Sequence, residues 1–191
     1  MDRPRSFDAD VVLDKAAQTF RAKGFEGTSI EDLEKATGLR RASLYGAYGD
    51  KRALYLASLK RYEGARSENF NMTLCAGKKG RAAIENLFKI VVDDAVNDPC
   101  GCLIANAAAD QATRDPRVAK CIKDNRRRVE EALLTAVTRG YKDGSVSARG
   151  DACVRARFLF AALLGIRALA KTDCDRSALH AVANEALRTL D

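Results

Sequence analysis

The stretch Thr28-Ser29-Ile30-Glu31-Asp32-Leu33-Glu34-Lys35-Ala36-Thr37-Gly38-Leu39-Arg40-Arg41-Ala42-Ser43-Leu44-Tyr45-Gly46-Ala47-Tyr48 decides the fold. Ile30, Leu33 and Ala36 recur at helical spacing. Thr28 and Glu31 have the separation of a capping box, in which the hydroxyl accepts from the third amide and the carboxylate reaches back. A helix over about 29–37 is therefore expected, ended by Gly38. A second short helix is expected from Arg41 to Tyr48, with Leu39 and Leu44 turned inward. Leu33, Ala36, Leu39 and Leu44 can form a small core that holds this helix at a steep angle to the one before it. Such a helix-turn-helix leaves Arg40, Arg41, Ser43 and Tyr45 on a protruding ridge.

The flanking sequence continues in helices. Ala9, Val12, Leu13, Ala16, Ala17 and Phe20 mark one over about 9–23 that Gly24 ends, and Asp50 reads as the cap of a longer one over 51–72. Apolar periodicity predicts five more, over 78–97, from residue 100 onward, and over 118–141, 151–171 and 177–190. Only three prolines occur (Pro4, Pro99, Pro116), and no sustained apolar–polar alternation suggests a strand. The expectation is an all-α chain of about nine helices. It consists of an N-terminal helix-turn-helix domain over 1–50 and a C-terminal bundle over 51–191, connected by the helix 51–72.

Composition narrows the function. The 191 residues are 47% apolar and 31% charged, enough to bury a core and too apolar for intrinsic disorder. No apolar run approaches the roughly 18 residues of a membrane span, and Met1–Asp10 has no apolar secretory core, so a cytoplasmic protein with no membrane partner is expected. With His180 as the one histidine, a His–carboxylate catalytic site, a metal site or a cofactor site has little to build on, and none is expected. The charge is +7, but residues 1–64 carry 12 basic and 10 acidic side chains while 65–191 carry 21 and 16. The useful part is local: Arg40, Arg41, Lys51 and Arg52 against Asp50 give +3 between Gly38 and Arg52.

Specific residues then point to a family. Phe20-Arg21-Ala22-Lys23-Gly24-Phe25-Glu26-Gly27-Thr28-Ser29-Ile30, Ala36-Thr37-Gly38-Leu39 and Ala42-Ser43-Leu44-Tyr45-Gly46-Ala47-Tyr48-Gly49-Asp50-Lys51 resemble the signature of TetR-family transcriptional regulators, of AcrR-like type. The resemblance implies a DNA-binding regulator that is not an enzyme, most often a homodimeric repressor on double-stranded, pseudo-palindromic operator DNA, released by a small effector or by thiol modification. It also implies DNA-contact positions. Thr28 and Ser29 begin the helix where the Thr28 hydroxyl and the free amides meet a phosphate. Arg41, Ala42 and Ser43 open the recognition helix, Tyr45 and Tyr48 are its aromatic positions, and Lys51 is the phosphate-binding lysine. Packing is the expected role for Tyr48, phosphate contact for Tyr45. Arg40 stands where a capping Ser or Thr is usual, at a cost of about 1 kcal/mol. Whether Arg40 or Arg41 reads bases stays open.

The C-terminal part carries the effector and dimer expectations. By the same resemblance, Phe88, Val92, Asn106 and Phe158 are expected to line an effector pocket among the fifth to eighth helices. Phe158, Ala162, Gly165 and Leu169 on the eighth helix, with Leu179, Val182, Ala183 and Leu187 on the ninth, are expected to form a two-fold dimer interface. Cys100-Gly101-Cys102-Leu103 resembles an electrophile- and metal-responsive branch of the family. Cys100 and Cys102 are either small core hydrophobes or sensor thiols beside a helix N-terminus, where the dipole favours thiolate. Arg126-Arg127-Arg128 is expected to be a solvated face paired with Asp124, Glu130 and Glu131. Two other classes remain open: a cysteine-based redox or soft-metal-responsive helical protein, and a basic interaction module without sequence preference.

Overall fold

The computed structural model describes residues 7–76, 79–98, 100–172 and 175–191. Among these residues the chain forms nine helices and no strand: α1 (Ala9–Gly27), α2 (Ile30–Thr37), α3 (Arg41–Tyr48), α4 (Lys51–Ala76), α5 (Gly80–Asn97), α6 (Leu103–Asp110), α7 (Pro116–Asp143), α8 (Ala152–Leu169) and α9 (Arg176–Arg188). No helix in the described residues is long and apolar enough to cross a membrane. The expected start of α5 at Lys78, its end at Pro99, and Cys174 lie outside the described residues.

Two compact units divide the chain. One is Met1–Ala65 with Cys102–Ile122, and the other is Arg66–Gly101 with Lys123–Asp191. This division falls elsewhere than the boundary expected at residue 50. The first part of α4, all of α6 and the start of α7 group with the helix-turn-helix, and α4 and α7 each contribute to both units.

The first unit is built around Phe20, Leu33, Leu44, Leu54 and Leu59, none of which is exposed. Phe20, Phe25 and Tyr55 interlock, with Phe20 and Tyr55 edge to face at 4.9 Å and Phe25 and Tyr55 at 5.0 Å. Such aromatic pairs gain about 0.5–1.5 kcal/mol beyond their buried area. Gly24 breaks α1 as its type suggested, with a non-helical φ of 73° that a side chain would strain. Leu103, Ile104, Ala107 and Val118 bury against the same core, and the Asn106 amide donates to the Arg21 carbonyl at 3.2 Å, fixing α6 to α1.

In the second unit, Ile84, Leu87, Phe88, Val91, Val92 and Ala95 form the buried face of α5, the face its periodicity predicted. They pack with Leu133 and Val137 of α7, Leu159, Leu163 and Ile166 of α8, and Leu179 and Ala183 of α9. Gly80 opens α5 in close contact with α7. A Cβ there would lie 2.3 Å from both the Ala136 carbonyl oxygen and the Gly140 nitrogen. The free amides of this helix start are met from the end of α7 and the connection after it: Gly80 donates to Asp143 at 2.8 Å and Arg81 to Ser145 at 3.2 Å.

Asp115 is the polar centre of the first unit. Its side chain is 4% exposed. It accepts from the Arg117 amide at 2.8 Å, as the cap of a helix with Pro116 at its first position, and from the Arg117 and Arg52 guanidiniums at 3.2 Å each. The Arg117 side chain, then its amide and Arg52, hold this carboxyl down at about 2 against the opposing effect of burial. An unfolded Asp titrates near about 3.9. A carboxylate whose folded value is depressed stabilises fully above the unfolded value and ceases to do so as pH falls through the folded one. The melting temperature of Asp115→Asn should therefore lie below that of the native chain by a constant margin from neutral pH down to about 5. The gap should close between about pH 4 and about 2. A margin independent of pH would assign the residue a packing role only.

Candidate nucleic-acid interface

The recognition ridge is built from the inside outward. Leu33 of α2 and Leu44 of α3 are fully buried, and Leu39 packs beside them. With Leu44 inward, Arg40, Arg41, Ala42, Ser43 and Gly46 are exposed. Gly38 makes the turn at a φ of 75°, and its amide donates to the Glu34 carbonyl at 2.8 Å. The Arg41 guanidinium lies over the Tyr45 ring, 5.3 Å from its centroid. This cation–π contact steadies a long side chain that would otherwise sample many rotamers. Tyr45 is half-buried, as is Tyr48, whose hydroxyl donates to the Ala9 carbonyl at 3.4 Å. The Tyr48 hydroxyl thus ties α3 to the start of α1.

Two local details differ from expectation. The capping box of α2 sits one residue later than Thr28–Glu31. Ser29 Oγ accepts from the Asp32 amide at 3.0 Å, and Asp32 accepts from the Ser29 amide at 3.0 Å. Thr28 is 1% exposed, and its hydroxyl donates to the Gly24 carbonyl at 2.6 Å, filling the acceptor that the α1 break leaves. Its side chain therefore does not reach solvent, and the phosphate contact expected at this helix start falls to backbone amides. Asp32 also accepts from Lys23 at 2.5 Å, and chiefly that bond, with the Ser29 amide and hydroxyl, draws its carboxyl down to about 2.

The second difference concerns Arg40, which makes no side-chain cap for α3. Glu34 supplies it instead, its Oε1 accepting from the Arg41 amide at 2.6 Å. A carboxylate from the preceding helix replaces the missing Ser or Thr, satisfies an orphan donor and complements the helix dipole. It also leaves the Arg40 side chain exposed beside the ridge.

Lys51 comes to the start of α2. Its ammonium donates to the Thr28 carbonyl at 2.8 Å and lies over the Phe25 ring at 4.6 Å, with the Arg52 guanidinium over the same ring at 5.3 Å. A cation and the first-turn amides of α2 thus meet at one point, a geometry suited to a phosphate. Of the expected positions, Ser29, Arg40, Arg41, Ala42, Ser43 and Tyr45 share the ridge and its flank, Lys51 joins the α2 terminus, and Thr28 and Tyr48 support from inside. Sequence reasoning missed Glu34 and Asp32 as capping groups. The signal for Glu34 was the lack of a capping residue at position 40.

The expected effector and sensor residues divide between the two units, Cys102 and Asn106 in the first and Phe88, Val92, Cys100 and Phe158 in the second. Phe88 and Val92 are 1% and 0% exposed in the core of the second unit. Phe158 is 48% exposed on α8. Asn106 is committed to the Arg21 carbonyl, and Cys102, 9% exposed, is the N-cap position of α6. Cys100 is half-buried, with its amide on Asp98 at 3.3 Å. Among the described residues no group of His, Cys, Asp or Glu is arranged to hold a metal ion.

A helix-turn-helix with an exposed basic recognition helix and a phosphate-suited flank defines a DNA-binding protein of the regulator class. Residues 12–58 match the family model for bacterial regulatory proteins of the tetR family, and residues 80–186 match that for the tetracyclin repressor-like C-terminal domain. The chain is 31% identical, over the whole of both chains, to the HTH-type transcriptional regulator YezE of Bacillus subtilis (strain 168). It is 26% identical to the HTH-type transcriptional repressor ComR of Escherichia coli (strain K12), over 97% of this chain and 90% of that one. Among solved structures, a cysteine mutant of the TetR family transcriptional regulator CifR complexed with 26 bp double-strand operator DNA is 30% identical. It superposes with a TM-score of 0.87 over 99% of this chain and 100% of that one. This chain belongs to the TetR family of bacterial transcriptional regulators.

Replacing Glu34 by Ala uncaps α3 without touching the ridge. Loss of such a cap costs about 1 kcal/mol. Glu34→Ala should lower the thermal midpoint and weaken operator binding, and Glu34→Gln, which keeps an acceptor, should recover most of both. An anisotropy titration beside a melting curve reads the two effects. Equal behaviour of both variants and the native protein would remove the cap from the account.

Proposed function

We propose that the chain is a repressor that binds a pseudo-palindromic operator as a homodimer and leaves it when a small effector binds the C-terminal unit. The exposed ridge from Arg40 to Ser43, held out by the buried Leu44, is the observation that carries this. Its side chains suit the major groove, where an Arg bidentate to guanine discriminates by about 1–3 kcal/mol. Lys51 and the α2 amides suit the adjacent phosphate and set register without reading sequence. Cytoplasmic action follows from this role.

The dimer is supported by the apolar surface of α8 and α9. Val154, Phe158, Leu169 and Val182 are 60%, 48%, 47% and 36% exposed, four of the six large exposed hydrophobics among the described residues. Ala162 and Gly165 are half-buried between them, and a Cβ added at Gly165 would meet nothing within 4 Å, so a second backbone has room to approach. Leu179 and Ala183 belong to the unit's own core, and Leu187 packs against it. The proposed interface is thus narrower on α9 than the periodicity suggested. For release, the burial of Cys102 supports a small effector over thiol modification at that position.

Operator binding by Arg41→Ala and Lys51→Ala separates the two kinds of contact. Arg41→Ala should weaken the operator more than scrambled duplex. Lys51→Ala should weaken both alike and reduce the slope of log K against log salt by about 1 per subunit, one counterion fewer being released. Native affinity in both variants would defeat the docking proposed for α2 and α3.

A further inference from the structure

A cavity of about 300 Å³ lies within the second unit, between the C-terminal part of α4 and α7. Asn71 and Leu74 line it from α4, and Arg128, Glu131, Thr135 and Arg139 from α7. The α7 residues recur every three or four positions, so one face of the helix supplies them all. None of the effector residues expected from the family resemblance is among them. The cavity instead absorbs part of the Arg126-Arg127-Arg128 run. Arg126, Arg127 and Arg128 are all exposed, as expected of a solvated face; Arg126 pairs with Glu130 at 3.7 Å, and Arg128 also edges the pocket.

The chemistry of the wall is selective. Two guanidiniums stand against the single carboxylate of Glu131, a net of one positive charge, and Ala132 and Ala136 add short apolar surface. Arg139 Nη2 donates to the Leu74 carbonyl at 2.6 Å, which anchors the guanidinium to the end of α4. Its Nε is shielded from solvent and has no acceptor. A buried donor left without an acceptor is costly, so this edge of Arg139 faces the protein interior and a ligand would meet the guanidinium's other edge. Planar guanidinium forks match a carboxylate in charge and geometry. Glu131 opposes a second negative charge, which selects a monoanion over a phosphate-like dianion. The volume is at the small end for organic ligands.

We propose that this cavity binds a small organic monocarboxylate with a short apolar body, held by Arg128 and Arg139, and that this ligand is the effector. The effector role rests on the regulator reading above; the binding site does not. Asn71 and Leu74 lie on the same continuous helix as Lys51, which gives occupancy a covalent route to the DNA contact. A ligand that favours one placement of α4 shifts the population away from the operator-competent state.

The test is calorimetric titration of the full chain with benzoate, hexanoate and phenylacetate, each beside its amide. At least one acid should bind, and more tightly than its amide by about tenfold or more, as for loss of a charge-assisted contact. Arg128→Gln and Arg139→Gln should each weaken that acid by about tenfold, with operator affinity of the unliganded protein kept within about twofold. Ala132→Met, which fills the space and changes no charge, should block the acid as well, so the site stays testable if an arginine variant unfolds. Failure of all three acids to bind at millimolar concentration overturns the site. So does an amide that binds as well as its acid, or unchanged acid affinity in the arginine and Ala132 variants. Acid binding that leaves operator affinity unchanged overturns the effector role. Absence of any operator preference in the unliganded protein defeats the regulator reading, while the calorimetry still decides the cavity.

Discussion

Burial of Leu44 against Leu33 is the constraint on which the DNA-facing surface depends. A helix of eight residues has little stability of its own. α3 keeps its place because one side chain is sunk in the core and because both ends are tied from outside. Glu34 caps its start from α2, and Tyr48 hydrogen-bonds the start of α1 near its end. With those three points fixed, the rotation of α3 is fixed, and Arg40, Arg41, Ala42 and Ser43 have no direction left but outward. Removing the leucine would cost about 2–5 kcal/mol and would release all four positions together.

Most of the helical architecture was legible in the sequence because apolar spacing and glycine punctuation carry it. α3 runs from Arg41 to Tyr48 as expected, Gly24 and Gly38 break the chain where their type suggests, and the buried face of α5 matches its periodicity. The capping box was ambiguous for a physical reason. Thr28-Ser29 and Glu31-Asp32 are two hydroxyls followed by two carboxylates, and both registers satisfy the pattern. The choice is made by Thr28, which is drawn inward to the carbonyl at the Gly24 kink, leaving Ser29 as the cap. Residue type alone does not choose between the registers, because the kink at Gly24 that frees this carbonyl decides it.

Long-range pairing also accounts for what was not legible at the candidate sites. Glu34 lies seven residues before the amide it caps, too far for a local motif. The grouping of α6 with the first unit depends on Asn106 reaching Arg21 and on apolar residues that could equally have packed elsewhere. Periodicity marked Phe88 and Val92 as inward-facing, and both are buried in the second unit. The cavity lies where Arg128 and Arg139 approach α4, a meeting of distant segments that spacing along the chain does not record. The net +7 of the chain divides in the same way: a small share shapes the recognition ridge and its phosphate flank, and another share lines the cavity of the second unit.

The central claim is that the α3 ridge reads a DNA sequence. It is tested most directly by titrating the purified protein against duplex from its own upstream region, with scrambled duplex of equal length and composition as control, at several salt concentrations. The account predicts saturable preference for the native duplex that persists as salt rises, with protection of two half-sites about one helical turn apart, as expected of a dimer. Equal affinity for both duplexes, falling together with salt, would contradict it and reduce the ridge to a basic surface without sequence preference.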